Sequence, residues 1–429
     1  MRLDRKLFLL AVPPLLLAAC GGSSSSNNQP PSKQNVTITF ANWASAEPAT
    51  TPAMLKLISN FEAANPNIHV NNDPIAVSDL LHQVEIQCNA GDCPDVAEVQ
   101  GNFIPTLASS QLLQPLDSYA SGFTSGLYPQ SVNVAKYQGK LDGIPWIEAP
   151  LALWYNRDLM KQAGLDPNPP QTLDELKRDL ETVKQKVPNV VGLGLDTTNR
   201  DIGLDQEWSW MLAFGAEPIK NGKANANTPQ MRNYLNWIRT LVKDGLTLPN
   251  KKYGEFRPIG AQGRLLFGYD GPYLKGVIQN LNPKIADAEF YATWGLAPTP
   301  SGPDGKHYDV SSGHQLAMFK ASKQKDAAWK FMKFVTSSEA GISQYTIPAE
   351  QAIPPETSSI KTYPQLNNPI TNAYVKDVIP HLVTPPYGPK YEQAVAAIMP
   401  QVQRAFATND SVDSIAQTMQ QQLVSVYGS

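Results

Sequence analysis

Cysteine is scarce in this chain: three in 429 residues, at positions 20, 88 and 93. So few thiols exclude a fold held together by a disulfide framework. Histidine is nearly as thin. The five histidines are scattered, and none stands at ligand spacing from the thiols, so neither a metal nor another cofactor is expected. Charged residues make up 17% and the net charge is −3, a balance that offers nothing to a phosphate backbone. No nucleic-acid partner is expected. Beyond the first twenty residues, no apolar run reaches the roughly 20 residues that a membrane span needs. Signatures of catalysis are missing too: there is no GxSxG elbow, HExxH pair, Walker loop or EF-hand loop. GLGLD at 192–196 lacks the third glycine of a dinucleotide loop and reads as a strand edge. A glycosidase needs only two carboxylates, and Glu47, Glu98, Asp142, Glu148, Glu207 and Asp270 are candidates. Nothing in their spacing marks a pair, so no enzyme is expected.

The amino terminus is more informative. Arg2, Arg5 and Lys6 precede an apolar stretch over 7–19, the pattern of a secretory signal peptide spanning 1–19. Leu17-Ala18-Ala19-Cys20 resembles a bacterial lipobox, which implies that Cys20 is lipidated and anchors the protein to the cell membrane. The alternative is an ordinary signal peptide with a chance cysteine. Residues 20–35, rich in serine, asparagine and proline, read as a flexible linker. About 395 residues follow, more than one core usually serves, so two domains are expected outside the cytoplasm. In that oxidising setting CNAGDC suggests a small disulfide loop between Cys88 and Cys93, with plain buried thiols as the alternative.

VTITF at 36–40 alternates as a strand does. Thr51 reads as an N-cap with Pro52 at the first helical position. Met54, Leu57, Ile58 and Phe61 then share one helix face. A strand at 68–70, a helix at 80–87 and a strand at 96–99 complete an alternation that implies a parallel sheet. A second α/β region begins near residue 151. Thr172 and Glu175 read as a capping box before a helix with Leu173, Leu176, Leu180, Val183 and Val187 on its apolar face. A strand is expected at 190–195, and helices at 206–214, 229–243, 325–336 and 412–427. There is no internal repeat.

Several stretches, in order, resemble the extracellular solute-binding proteins of ABC importers, in the carbohydrate-type group. They are LISNFEAANPNIHV, PDVAEVQGN with LLQPLDSYA, YQGKLDGIPW, LALWYNRDLMKQAGLDPNPPQTLDEL, GRLLFGYDGPYLKG, and the run from WGLAPTPSGPDG to FVTSSEAG. The resemblance implies an α/β, two-lobe periplasmic-binding-protein-like fold of type II, with a ligand cleft between lobes joined by hinge strands. The lobes would take 36–148 with 304–344, and 149–303 with 345–429. It also implies a monomeric lipoprotein that captures a sugar or oligosaccharide and delivers it to the permease by hinge closure. A charged solute (a polyol phosphate or a polyamine) is the alternative ligand, and a cell-surface glycosidase the remaining one.

By position in the family, cleft contacts are expected from Trp43, Ser45 and Glu47 after the first strand, and from Glu98, Gln100 and Asn102 after the third. Trp146 and Glu148 at the first crossover, with Tyr155 beyond it, would follow. Asp270, Gly271 and Tyr273 would form the second-lobe loop, and Trp294, Ser312, Gly313 and His314 would complete the set. Sugars favour flat aromatic platforms ringed by polar groups. Trp237 and Trp329 sit in helical apolar patterns and read as core. Trp208 and Trp210 are two apart on one helix, so at most one should reach the cleft, and Trp208 is assigned to it. His314 could equally be structural, and Gly271 could serve only the backbone. Ser-Gly-His at 312–314 and Gly215-Ala216 depart from the glycine pairs common in the family.

Overall fold

The computed structural model describes residues 35–429. The expected signal peptide, Cys20 and the linker up to residue 34 lie outside the described residues. In chain order the principal strands are β1 (Val36–Asn42), β2 (Ile68–Pro74), β3 (Val96–Gln100), β4 (Ile144–Ile147), β5 (Ala152–Asn156), β6 (Val191–Gly194), β7 (Leu265–Asp270), β8 (Trp294–Ala297) and β9 (His314–Met318). They form two separate sheets. The first has the order β2-β1-β3-β9-β4 and the second β8-β5-β7-β6.

β1 runs parallel to β2 and β3, with Val36 opposite Ile68 and Phe40 opposite Val96. Between them α1 (Thr51–Ala64) buries Met54, Leu57, Ile58 and Phe61, the face its spacing requires. Its N-cap is Thr50 rather than Thr51. The Thr50 hydroxyl donates to the Ala44 carbonyl at 2.7 Å and so leaves the helix end uncapped. Helix α2 (Val77–Asn89) leads back to β3, and its last turn is joined through the Cys88–Cys93 disulfide to the loop before that strand.

In the second sheet β7 pairs antiparallel with β5 and parallel with β6, while β8 closes the far edge against β5. Helix α3 (Leu173–Lys186) is capped by Thr172, whose hydroxyl accepts the Glu175 amide. The Glu175 carboxylate accepts from Gln171, one residue short of a full capping box. Helix α4 (Asp201–Ala213) starts five residues earlier than expected and is buried on every side from Ile202 to Met211. It is followed by α5 (Pro229–Lys243), α6 (Leu274–Leu281), α7 (Lys325–Ser337), α8 (Tyr391–Ala407) and α9 (Val412–Tyr427). Of these α8 was hidden in the sequence by Pro400, which stands inside it.

Three chain passages connect the sheets. The β4–β5 crossover and the β8–β9 crossover lie side by side, with Leu151 N–H donating to Val310 O at 2.9 Å and Ser312 N–H to Ala149 O at 3.0 Å. On the other flank Glu148 and Ile353 exchange backbone hydrogen bonds of 2.8 and 3.2 Å. Gly313 permits this closeness, because a Cβ there would lie 2.5 Å from the Ile147 carbonyl. The result is a narrow hydrogen-bonded hinge between two sheets.

Candidate ligand-binding cleft

Parallel strands deliver their following loops to the carboxyl edge of a sheet, where ligands of open α/β sheets bind. Here those loops face each other across a cleft of about 610 Å³. Trp43, Glu47, Gln100, Ser312 and His314 line the first-sheet wall, and Arg200, Tyr253, Arg257 and Tyr273 the second. Glu350 and Gln351, from the third passage, form the floor.

Glu98 organises the first wall from behind it. Its side chain is wholly buried, and one carboxylate oxygen accepts the Trp43 and Ala44 amides at 3.1 Å each. The other stands 2.8 Å from His314 Nδ1. Burial opposes charge on that imidazole, but Glu98, with Glu350 and Glu47 beyond, outweighs it and raises its pKa. Trp43 packs edge-on against the His314 ring with centroids 4.9 Å apart. Burial raises the Glu47 pKa, aided by Glu350 and opposed by His314. Glu350 is raised in the same way by burial, while His314 and the Tyr345 hydroxyl that donates to it pull it down.

The second wall is built on paired charges. Arg257 donates through two nitrogens to Asp270, each bond 2.8 Å long. Burial disfavours that cation, yet Asp270 outweighs it and raises the arginine pKa. Tyr253 lies between Arg257 at 4.9 Å and Arg200 at 5.9 Å, and Arg200 is itself paired with Asp196. The walls meet where the Tyr273 hydroxyl comes within 3.5 Å of His314 Nε2. They meet again where Asn102 donates to Asp205 at 3.2 Å. That second contact borders a pocket of about 40 Å³, room for little more than water, shared by Gln100, Ser312 and Tyr387.

Of the residues expected at the cleft, the structure brings Trp43, Glu47, Gln100, Tyr273, Ser312 and His314 to its walls, and Asn102 to the adjoining pocket. Glu98, Asp270, Gly271 and Gly313 stand immediately behind, as supports. Ser45 turns inward, donating to Asn72 at 3.0 Å. Four aromatic expectations need correction. Trp146 is wholly buried and stacks on Tyr345, its Nε1 donating to Val335 O. Trp294 stacks on Phe290 in the second-sheet core, and Tyr155 fills the space that Gly295 leaves for it. Trp208 packs on Tyr387, and Trp210 on Trp237, so neither reaches the cleft. The reason is shared: both faces of these elements are covered, and element ends here lie inside the lobes. Glu148 is likewise interior, buried at the hinge.

Sequence reasoning missed Arg200, Tyr253, Arg257, Glu350 and Gln351. Only KKYGEFRPIG offered a signal, an aromatic and an arginine four apart entering a helix. Among the described residues no cluster could hold a metal ion.

A cleft between two hinged α/β lobes suits capture of a small solute. The sequence profile described as bacterial extracellular solute-binding protein matches residues 45–342, well over half the chain. The chain belongs to that family. As a solute-binding protein of this kind it operates outside the cytoplasm. A binding protein of Brucella abortus is 26% identical over 306 residues, covering 70% of this chain and 71% of the relative. The maltotriose-binding protein of Pyrococcus abyssi is 23% identical over 356 residues, 81% of this chain and 73% of its own. An ABC-transporter solute-binding protein of Thermotoga lettingae, bound with alpha-D-tagatose, superposes with a TM-score of 0.76 at 23% identity. That overlay spans 92% of this chain and 100% of the other, and the shared fold is the two-lobe type II arrangement.

Proposed function

We propose that this solute-binding protein captures a neutral sugar or oligosaccharide in the cleft and hands it to an ABC permease by hinge closure. The observation that carries this reading is the pairing of charge around aromatic surface. Arg257, Arg200 and His314 each face a carboxylate of the protein's own, beside the rings of Trp43, Tyr253 and Tyr273. Such a wall offers many donors and acceptors with its arginines and histidine already matched, which suits hydroxyl groups around an apolar ring. The maltotriose-binding relative and the tagatose-bound neighbour support the same class.

Hinge closure follows if the ligand bridges both walls and so favours the closed state. The lobes are assigned as 36–148 with 304–344 and 149–303 with 345–429. Cys20 carries the lipid that keeps a monomer near its permease, after removal of residues 1–19. The protein binds without turnover. A second reading, an acidic solute such as a polyol phosphate, is favoured by Arg200, Lys252 and Arg257 sharing one wall. The acidic partners of both arginines make it the weaker one.

A thermal-shift screen of soluble protein starting after the linker, against sugars, sugar phosphates, polyols and polyamines, tests this. Ligand at a hundredfold excess over Kd stabilises by about 2.7 kcal/mol. A neutral sugar that shifts Tm and is recovered chemically intact is the expected result. A shift only with phosphorylated ligands overturns the substrate class, and recovery of cleaved sugar overturns binding without turnover.

A further inference from the structure

A second cavity of about 360 Å³ lies beside the cleft, on the other flank of α6. Asn280 and Gln351 line both spaces. The helix and the residue before it separate the rest: Tyr273 and Val277 face the cleft, while Lys275, Gly276 and Gln279 face the second cavity. Gln351 crosses the remaining gap. Its backbone is held in the left-handed region at φ 50°, and its side-chain amide lies directly on Gly276. A Cβ on that glycine would fall 1.2 Å from Gln351 Oε1, so any other residue at 276 would displace the amide from this position.

The second cavity repeats the chemistry of the first. Tyr291 supplies a ring, and Lys275 above it is paired with Asp287 at 2.8 Å. Gln279, Asn280 and Asn368 supply amides. This is again matched charge, hydrogen-bonding groups and aromatic surface, suited to a neutral polyhydroxy unit.

We infer that Gln351 is a specificity-determining residue that sets the length of glycan accepted, closing the cleft against a further sugar subsite beside α6. This rests on the carbohydrate reading above. In the wild-type protein the terminal sugar unit abuts the Gln351 amide, and a longer chain finds no room. Removal of the side chain joins the two spaces, and the next unit enters the cavity beside Tyr291.

Titration calorimetry of wild type, Gln351→Gly and Gln351→Ala against length ladders of gluco-, manno-, xylo- and galacto-oligosaccharides tests the inference. Glycine relieves the backbone at this position, and alanine removes the amide without adding freedom. For the ladder that binds, wild-type affinity stops rising at one chain length. Both variants are expected to gain about tenfold on the next longer member. An unchanged limiting length in either folded variant overturns the role of Gln351 alone. Binding of no ladder by the wild type overturns this inference, and the carbohydrate reading falls with it only if the thermal-shift screen finds no neutral sugar either.

Discussion

Glu98 Oε1 and His314 Nδ1 stand 2.8 Å apart on neighbouring antiparallel strands, and among the described residues neither atom has a hydrogen-bond partner besides. Because the other Glu98 oxygen holds the Trp43 and Ala44 amides, one buried carboxylate positions a ring and an imidazole together. Truncation by Glu98→Ala leaves two amides and a buried imidazole unpaired. Loss of one partner of a buried pair costs about 3 kcal/mol or more. Urea unfolding of this variant is expected to show that loss, with ligand binding weakened as the Trp43 loop relaxes. A variant as stable as wild type would refute the supporting role.

The tryptophans divide into two kinds, told apart by affinity rather than by burial. Trp43 lines the cleft yet is only 4% exposed, so Trp43→Ala should weaken sugar binding about tenfold and lower stability as well. Trp146→Ala and Trp294→Ala open cavities in packed cores, which costs about 3–5 kcal/mol, while the folded fraction keeps its affinity. Calorimetry paired with urea unfolding separates the two. Loss of affinity without loss of stability in Trp294→Ala would return that ring to the cleft.

That division also marks what sequence could and could not reveal. Helical spacing identified the buried stripes of α1 and α3, because periodicity follows from backbone geometry alone. Alternation marked β1 in the same way. Trp146 was misread because β4 is buried on both faces, so its residues lack the alternation that distinguishes inside from outside. Arg257 was passed over because a lone arginine after a turn looks like solvent-exposed charge. Its partner Asp270 is thirteen residues away at the end of β7, a pairing that only the tertiary fold creates.

Arg257 is a fork, not only a charge. Arg257→Lys keeps the cation but loses the two-point grip on Asp270 and the stacking on Tyr253. Affinity is expected to fall about tenfold, and no lysine-for-arginine tolerance is anticipated. Binding equal to wild type would show that only the charge of this wall matters.

Burial pushes Glu148 up to about 7, against the pull of Ser131 and His314, and pushes Asp205 and Glu207 up to about 8. In the unfolded chain such carboxyls release their protons near pH 4. Between there and pH 7–8 the folded state therefore binds more protons than the unfolded one. Stability from these groups is fully present at low pH and lost as pH rises through about 7 to 8. For Glu148 alone this is on the order of 3 kcal/mol. Tm is expected to fall from about pH 5 to 8, and Glu148→Gln to flatten the fall below pH 7. A wild-type Tm that climbs over this window would refute the assignment.

The Cys88–Cys93 bridge closes a loop whose ends are five residues apart, between α2 and β3. In the chain-entropy model so small a loop contributes about 2 kcal/mol. The loop runs into Asp95, whose side chain accepts from Thr39 N at 2.8 Å and from Ser322, and whose carbonyl accepts from Phe319 N at 3.1 Å. The bridge thus restrains the entry of β3 between β1 and β9. No residue of the loop lines the cleft. Replacing both cysteines with serine should therefore lower urea stability by about 2 kcal/mol or less and leave affinity unchanged. Reductant should reproduce the loss in wild type and do nothing to the double variant. An affinity loss at constant stability would instead mean that strain at the start of β3 reaches Glu98, two residues along the same strand, and through it the cleft wall.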